Sequence, residues 1–163
     1  MSGGGATFAK AGGFTEAMLT RHLTQPPARV WAMLSEDAEL PLWLAPGRLE
    51  PRVGGAARLD FADSGTVINS AVSAYEVGRL IEFSWSAPGE PTRPVRLELA
   101  PEGEGTRLVV TLRTPVGEDA GRSAAGWDAH LQMLEAALAG APIAFPFETF
   151  KSSREAYRAT LAS

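Results

Sequence analysis

The stretch that decides the fold is residues 119–140, DAGRSAAGWDAHLQMLEAALAG. Its large apolar residues recur at i, i+4, i+7 and i+11, a spacing that places them on one face of a helix. Gly140 follows this stripe, and glycine is a common helix stop. The sequence therefore predicts one long amphipathic helix over about 119–139, whose apolar stripe is Trp127, Leu131, Leu134 and Leu138.

Upstream of this helix, apolar residues alternate with polar ones, which is the pattern of half-buried β-strands. Turns containing glycine and proline separate the alternating segments, as in an antiparallel meander. The predicted strands number six to seven, and six are assigned, at residues 15–24, 57–61, 66–77, 80–86, 95–99 and 108–112.

Two short helices are predicted between the first and second of these strands. Pro26 and Pro27 favour the opening turn of the first helix, where a missing N–H is tolerated. Ser35 is predicted to cap the second helix, whose first turn would carry the acidic pair Glu36 and Asp37.

This order of elements places the helices on one face of an antiparallel sheet, which is an α+β fold. A single long helix cannot cover a flat sheet of six to seven strands. The sheet is therefore expected to curve around the helix and to leave a cavity between them.

The chain is expected to divide into a flexible leader at 1–13, a domain at 14–140 and a helical extension at 141–163. Five glycines make ordering of the leader costly in entropy. The extension is predicted to be helical over about 148–161. Its aromatic residues are expected either to pack on the sheet or the mouth of the pocket, or to form a homodimer contact; they are Phe145, Phe147, Phe150 and Tyr157.

Composition excludes several classes of protein. The chain has 163 residues, no cysteine and a formal net charge of −4. Disulfides and zinc–thiolate sites are therefore absent, and the acidic balance gives no attraction to nucleic acid. The first residues lack the pattern of a secretory signal, and no run of eighteen apolar residues predicts a membrane span. These features favour a cytoplasmic protein without nucleic-acid or membrane partners.

Five motifs together resemble the SRPBCC (START-like) superfamily, and within it the heat-shock-protein-90 ATPase activator-homologue type. The resemblance covers about 15–140 and implies a helix-grip fold that encloses a hydrophobic ligand pocket. It also implies a chaperone contact, because eukaryotic relatives bind the chaperone and raise its ATPase rate. The motifs are PPARVWAMLSEDAELPLWL (26–44), GGAARLDF (54–61), LIEFSWS (80–86), GEGTRLVVTL (103–112) and GWDAHLQMLEAAL (126–138).

The most informative single residues are the four tryptophans. Trp31 and Trp127 are expected to build the core, whereas Trp43 and Trp85 fit either the core or the rim of the pocket. The predicted pocket lining comprises Trp43, Phe61, Phe83, Trp85, Leu97, Trp127, His130, Leu131 and Leu134.

Few residues point to chemistry. Two histidines are too few for a three-histidine metal site, and no nucleophile, phosphate-loop or dinucleotide motif occurs. His130 fits either a satisfied polar contact or an edge of the cavity, and His22 a solvent position. Arg21 requires a carboxylate or bound anion if its strand face is internal.

The favoured function is non-catalytic binding of a small hydrophobic molecule, as a carrier or sensor, with no cofactor and no metal. Two alternatives remain open from the sequence. One is a co-chaperone-like module that stimulates a heat-shock chaperone, and the other is a cyclase- or dehydratase-type enzyme. The enzyme alternative requires a polar group inside the pocket, with either His130 or an acidic residue moving a proton.

Overall fold

The computed structural model describes residues 5–61 and 64–162. Its eight-stranded antiparallel sheet has the order β1-β2-β8-β7-β6-β5-β4-β3. The six assigned strands are present, and two short ones are added at the sheet edges. The strands are β1 (Thr7–Ala11), β2 (Phe14–Leu23), β3 (Gly47–Leu49), β4 (Ala56–Phe61), β5 (Thr66–Glu76), β6 (Leu80–Ser84), β7 (Pro94–Glu102) and β8 (Gly105–Pro115).

The expectation of a flexible leader is wrong for residues 7–11. These residues pair with β2 along their whole length, from Thr7 opposite Met18 to Ala11 opposite Phe14. Gly12, at a φ of +56°, makes the tight turn between the two strands. Gly12 and Gly13, two of the glycines that suggested disorder, therefore form the turn of a hairpin. The first four residues of the expected leader lie outside the described part of the chain.

The helices are α1 (Pro27–Ser35), α2 (Ala120–Leu138) and α3 (Phe147–Ala162), with a 3₁₀ turn at Leu40–Leu42. The prediction of α2 is confirmed to within one residue at each end. A carboxylate oxygen of Asp119 caps the helix by accepting a bond from the Arg122 amide at 3.0 Å. Gly140, at a φ of +81°, follows the helix.

The second short helix is reduced to the 3₁₀ turn and its preceding residues. Glu36 begins this segment, because its carbonyl accepts bonds from the amides of Glu39 and Leu40 at 3.0 Å. The predicted capping role of Ser35 is wrong. Ser35 ends α1, and its hydroxyl donates back to the carbonyl of Trp31 at 2.7 Å.

The curved sheet packs its concave face against α2, as the helix-grip fold requires. Trp127, Leu131 and Leu134 are at most 3% exposed, so the predicted stripe faces the sheet. Leu138 is half-buried at the end of the helix. Burial of this stripe fixes the rotation of α2, and with it the direction of every other side chain on the helix.

A buried polar network ties the sheet to α2 and α3. Arg21 on β2 is 4% exposed, and its guanidinium donates to Asp128 on α2. The hydroxyl of Tyr157 on α3 donates to the other oxygen of Asp128 at 2.8 Å and accepts from the Ala6 amide at 3.1 Å. Burial and the neighbouring Asp128 carboxylate raise the pKa of Tyr157 to about 12, so the hydroxyl keeps its proton at neutral pH.

This network shows that the C-terminal extension packs on its own domain. The strand face that carries Arg21 is internal. The buried guanidinium therefore needs an acidic partner, and the carboxylate of Asp128 supplies one. The homodimer contact stays a prediction. Phe147 is the most exposed large apolar side chain among the described residues of the extension, at 64% exposure.

One of the family motifs has a direct steric explanation. A Cβ atom on Gly105 would lie 2.1 Å from the carbonyl oxygen of Leu23, far inside van der Waals contact. The next residue, Thr106, is fully buried and donates its hydroxyl to the carbonyl of Gln25 at 2.8 Å. Gly105 and Thr106 thus hold the end of β2 and the start of the α1 segment against β8.

Candidate functional site

Six of the nine predicted pocket residues are rings, and the structure brings them into one continuous set of contacts. With Phe145 from the segment before α3, these rings form what we term the aromatic cluster. Centroid distances range from 5.1 Å between Trp85 and Trp127 to 6.3 Å between Phe83 and Trp85. The aromatic cluster comprises Trp43, Phe61, Phe83, Trp85, Trp127, His130 and Phe145.

The deep part of the predicted pocket is closed by side chains. Five of its residues are 0% exposed, so no water-sized space touches them in this conformation. Trp43 is among them, and its indole N–H donates to the carbonyl of Met33 at 2.7 Å. The sequence left Trp43 either in the core or at the rim of the pocket, and in the structure it lies in the core. The five are Trp43, Phe83, Leu97, Leu131 and Leu134.

The outer part of the aromatic cluster keeps apolar surface in contact with solvent. Phe61 at the end of β4, Trp85 just after β6 and His130 on α2 are each half-buried. Phe145 joins this group through His130, with its ring centroid 5.4 Å from that of His130. We call these four residues the aromatic mouth.

Trp127 connects the aromatic mouth to the buried rings. It is 3% exposed and contacts Trp43 and Trp85, at 6.1 and 5.1 Å, and the ring of His130 at 6.1 Å. Trp127 thus fills its core role and also fixes the orientation of two rings of the mouth.

His130 is satisfied by a hydrogen bond within the cluster. Its Nδ1 lies 3.0 Å from the carbonyl oxygen of Trp43, so the neutral ring donates to that oxygen. Burial lowers the pKa of His130 below its ordinary value of 6.5. The contacts found for His130 in the described residues include no carboxylate, so they do not favour the enzyme alternative.

The lowered pKa of His130 predicts a loss of stability in mild acid. Below pH 6.5 the unfolded chain binds a proton at this histidine more readily than the folded chain, so the free energy of unfolding falls with pH. The free energy of unfolding is therefore expected to be lower at pH 5.5 than at pH 7.5, because the unfolded chain takes up more protons at His130 over this range. Urea unfolding at both pH values measures it.

The control for this pH effect is His130→Gln, which removes the titrating group and keeps a side chain able to hydrogen-bond. The difference in stability between pH 7.5 and 5.5 should shrink in this variant. An equal pH dependence in both proteins would contradict the assignment to His130.

Other sequence-predicted groups lie away from the cluster. His22 is exposed, as expected, with its Nδ1 2.7 Å from Glu102. In the described residues, no three histidine, aspartate or glutamate side chains are grouped so that they could hold a metal ion. No helix in the same residues is long and apolar enough to cross a membrane.

Sequence reasoning missed a second concave region, which we call the α1 cleft. It has a volume of about 490 Å³ and lies between α1, β3 and the β5–β6 pair. Trp31, predicted as a core residue, is half-buried in its wall, with its ring centroid 5.9 Å from that of Tyr75. The available signal was the position of Trp31 in α1, beside the buried face formed by Val30, Met33 and Leu34.

A curved antiparallel sheet that grips one long C-terminal helix defines the SRPBCC (START-like) class of protein. The family described as Activator of Hsp90 ATPase homolog 1-like protein matches residues 24–139, and the chain belongs to this family. A search of curated proteins finds no match.

Solved structures share the fold. The crystal structure of CalU16 from Micromonospora echinospora is 23% identical, over 98% of this chain and 96% of that chain, with a TM-score of 0.77. The solution NMR structure of a protein from Bordetella parapertussis is 27% identical in sequence and has a TM-score of 0.75. The match covers 96% of this chain and 90% of that chain. DynU16, described as a protein in the dynemicin biosynthetic locus, is 23% identical in sequence and has a TM-score of 0.69. The match covers 78% of this chain and 48% of that chain.

Proposed function

We propose that this protein binds a small, neutral aromatic molecule at the aromatic mouth and acts as a carrier or sensor. The observation that carries the proposal is the set of half-buried rings formed by Phe61, Trp85 and His130, which rest on buried aromatic side chains. Soluble domains expose few clustered large apolar side chains without a use for them.

The chemistry of the mouth favours a flat aromatic ligand. Neighbouring rings meet at interplanar angles near 60°, so they present both faces and edges to a ligand. Such surfaces select aromatic compounds by edge-to-face and offset packing. The neutral form of His130 adds no net charge, which disfavours an ionic ligand.

Entry requires movement of Phe145, because this ring covers His130 from outside. Phe145 lies in the segment 139–146, which has no helix or strand and is exposed over residues 141–144. Displacement of Phe145 would break its ring contacts with His130, Phe147 and Phe150. The helix α3 would stay anchored through Tyr157. The ligand would then occupy the space of the Phe145 ring.

Two of the comparisons support this proposal. The chain matches the family over most of the helix-grip domain, and the related fold of DynU16 occurs in a protein described as belonging to the dynemicin biosynthetic locus. For the present chain, the ligand class rests on the rings of the mouth and not on those relatives.

A titration with N-phenyl-1-naphthylamine, a neutral fluorophore that brightens in apolar surroundings, tests the proposal. We expect saturable binding of one probe per chain. Trp85→Leu should weaken binding about tenfold, since it removes the ring of the mouth that contacts both Phe61 and Trp127. Phe8→Leu, which removes a half-buried ring on β1, serves as the matched control and should leave binding unchanged.

Removal of the covering ring should have the opposite effect. Phe145→Ala is expected to raise the affinity for the probe about threefold to tenfold, because the ligand no longer displaces a packed side chain. No saturation by the unaltered protein, or equal weakening by Trp85→Leu and Phe8→Leu, would contradict the proposed site.

The family match supports contact with a heat-shock chaperone as a second candidate function. Its test is the ATPase rate of the cognate heat-shock-protein-90 chaperone with increasing amounts of this protein. A saturable rise in rate would support the candidate. An unchanged rate at high micromolar protein would exclude it, and neither result depends on the aromatic mouth.

A further inference from the structure

The α1 cleft is separate from the aromatic mouth. The cleft lies where β5 ends and β6 begins, beside Tyr75 and Ile81, whereas Trp85 of the mouth follows the other end of β6. No residue of α2 lines the cleft. A ligand in the cleft would therefore not contact the rings of the mouth.

The floor and walls of the α1 cleft are apolar and aromatic. Leu49 and Ile81 are at most 3% exposed and form its buried lining. The half-buried rings of Trp31 and Tyr75 lie beside each other in it, with an interplanar angle of 59°. Two electron-rich rings at this separation offer an apolar group both hydrophobic contact and π faces.

The rim of the cleft is charged, with opposite signs on its two sides. Glu36 and Asp37, after α1, contribute two exposed carboxylates. Within residues 5–61 and 64–162 neither carboxylate forms an ion pair. On the β3 side, the exposed Arg48 lines the cleft.

We propose that the α1 cleft is a second binding site, which takes an organic monocation: a quaternary or protonated amine on a small apolar body. The Trp31 and Tyr75 rings attract the cation by cation–π interaction, and the Glu36 and Asp37 carboxylates add the charge complement. Arg48 on the opposite side disfavours a second positive group, so a polyamine fits the cleft less well.

Benzyltrimethylammonium is a suitable probe, and the indole N–H signals of the four tryptophans in a nitrogen–proton NMR spectrum report where it binds. Single Trp→Phe variants assign the signals. We expect saturable displacement of the Trp31 signal, while those of Trp85 and Trp127 stay in place. Benzyl alcohol, phenylacetate and spermidine should each bind at Trp31 at least about fivefold more weakly.

The rim charges are tested by the double substitution Glu36→Gln with Asp37→Asn, which changes charge but hardly changes shape. It should lower the affinity for benzyltrimethylammonium about fivefold and leave that for benzyl alcohol unaltered. The matched control, Glu90→Gln with Glu118→Gln, removes the same charge near Arg93 at the other end of β6. It should change neither affinity.

Tyr75→Leu keeps an apolar side chain and the Trp31 signal but removes one of the two π faces of the cleft, and it should weaken cation binding by a similar factor. Displacement of the Trp85 and Trp127 signals instead of that of Trp31 would overturn the proposal. Tighter binding of phenylacetate than of the cation at Trp31, or no displacement up to saturating probe, would do so as well. The naphthylamine titration at the mouth succeeds or fails independently of these results.

Discussion

Asp128→Ala is expected to lower the free energy of unfolding by about 3 kcal/mol, the cost of leaving a buried charge without its close partner. Arg21 is 4% exposed, and its guanidinium donates a hydrogen bond to Asp128. Glu135 is a second acidic neighbour, with a carboxylate oxygen 3.8 Å from Nε of the guanidinium, so the substitution removes one of two carboxylates near a buried charge. Asp128 also accepts from Tyr157, so α3 should loosen from the domain in the same variant.

Urea unfolding followed by circular dichroism measures this loss. Glu16→Ala is the matched control, because Glu16 pairs with Arg113 at an exposed position on the sheet. It is expected to cost below about 1 kcal/mol. The double substitution Arg21→Met with Asp128→Leu should recover much of the loss, since it removes both buried charges. A loss for Asp128→Ala no larger than that for Glu16→Ala would contradict the role of the buried pair.

Trp127→Ala should lower the free energy of unfolding by about 3–5 kcal/mol, as expected for truncation of a buried aromatic ring. Trp127 is 3% exposed, and removal of its indole leaves a cavity between Trp43 and Trp85. Because natural domains are stable by about 5–15 kcal/mol, this single change removes a large fraction of the total.

The same substitution should abolish binding of the naphthylamine probe, because Trp85 and His130 lose the ring that orients them. Denaturant titration and probe titration test the two effects separately. Trp127→Phe, which keeps a ring in the same place, should cost less stability and retain part of the binding. An alanine variant of unchanged stability would show that Trp127 does not hold the cluster together.

The parts of the fold with strong periodicity were predictable from the sequence. The helix α2 has a clear apolar stripe, a capping Asp119 and a terminal Gly140, so both its ends and its buried face were correct. Local patterns decide such elements because helix caps and stripes act over a few residues.

The parts that depend on contacts between distant segments were not predictable in the same way. β1 is short and lies among glycines, and it becomes ordered through pairing with β2. The α1 cleft depends on the contact between the rings of Trp31 and Tyr75, which lie forty-four positions apart in the sequence. A local sequence pattern does not predict a contact at that separation.

The candidate site lies between these cases. Alternation and helical spacing identified most rings of the aromatic cluster, because inward-facing positions of strands and helix converge on the concave face. The sequence did not show which rings would be fully buried. Trp43 and Phe83 complete the core, whereas Phe61 and Trp85 keep exposed surface because they lie where β4 and β6 end.

A crystal structure of the protein saturated with N-phenyl-1-naphthylamine tests the central claim most directly. We expect the naphthyl ring to lie against Trp85 and His130, with Phe145 displaced from its position over the imidazole. Probe bound elsewhere, or unchanged rings with no probe among them, would contradict ligand binding at the aromatic mouth.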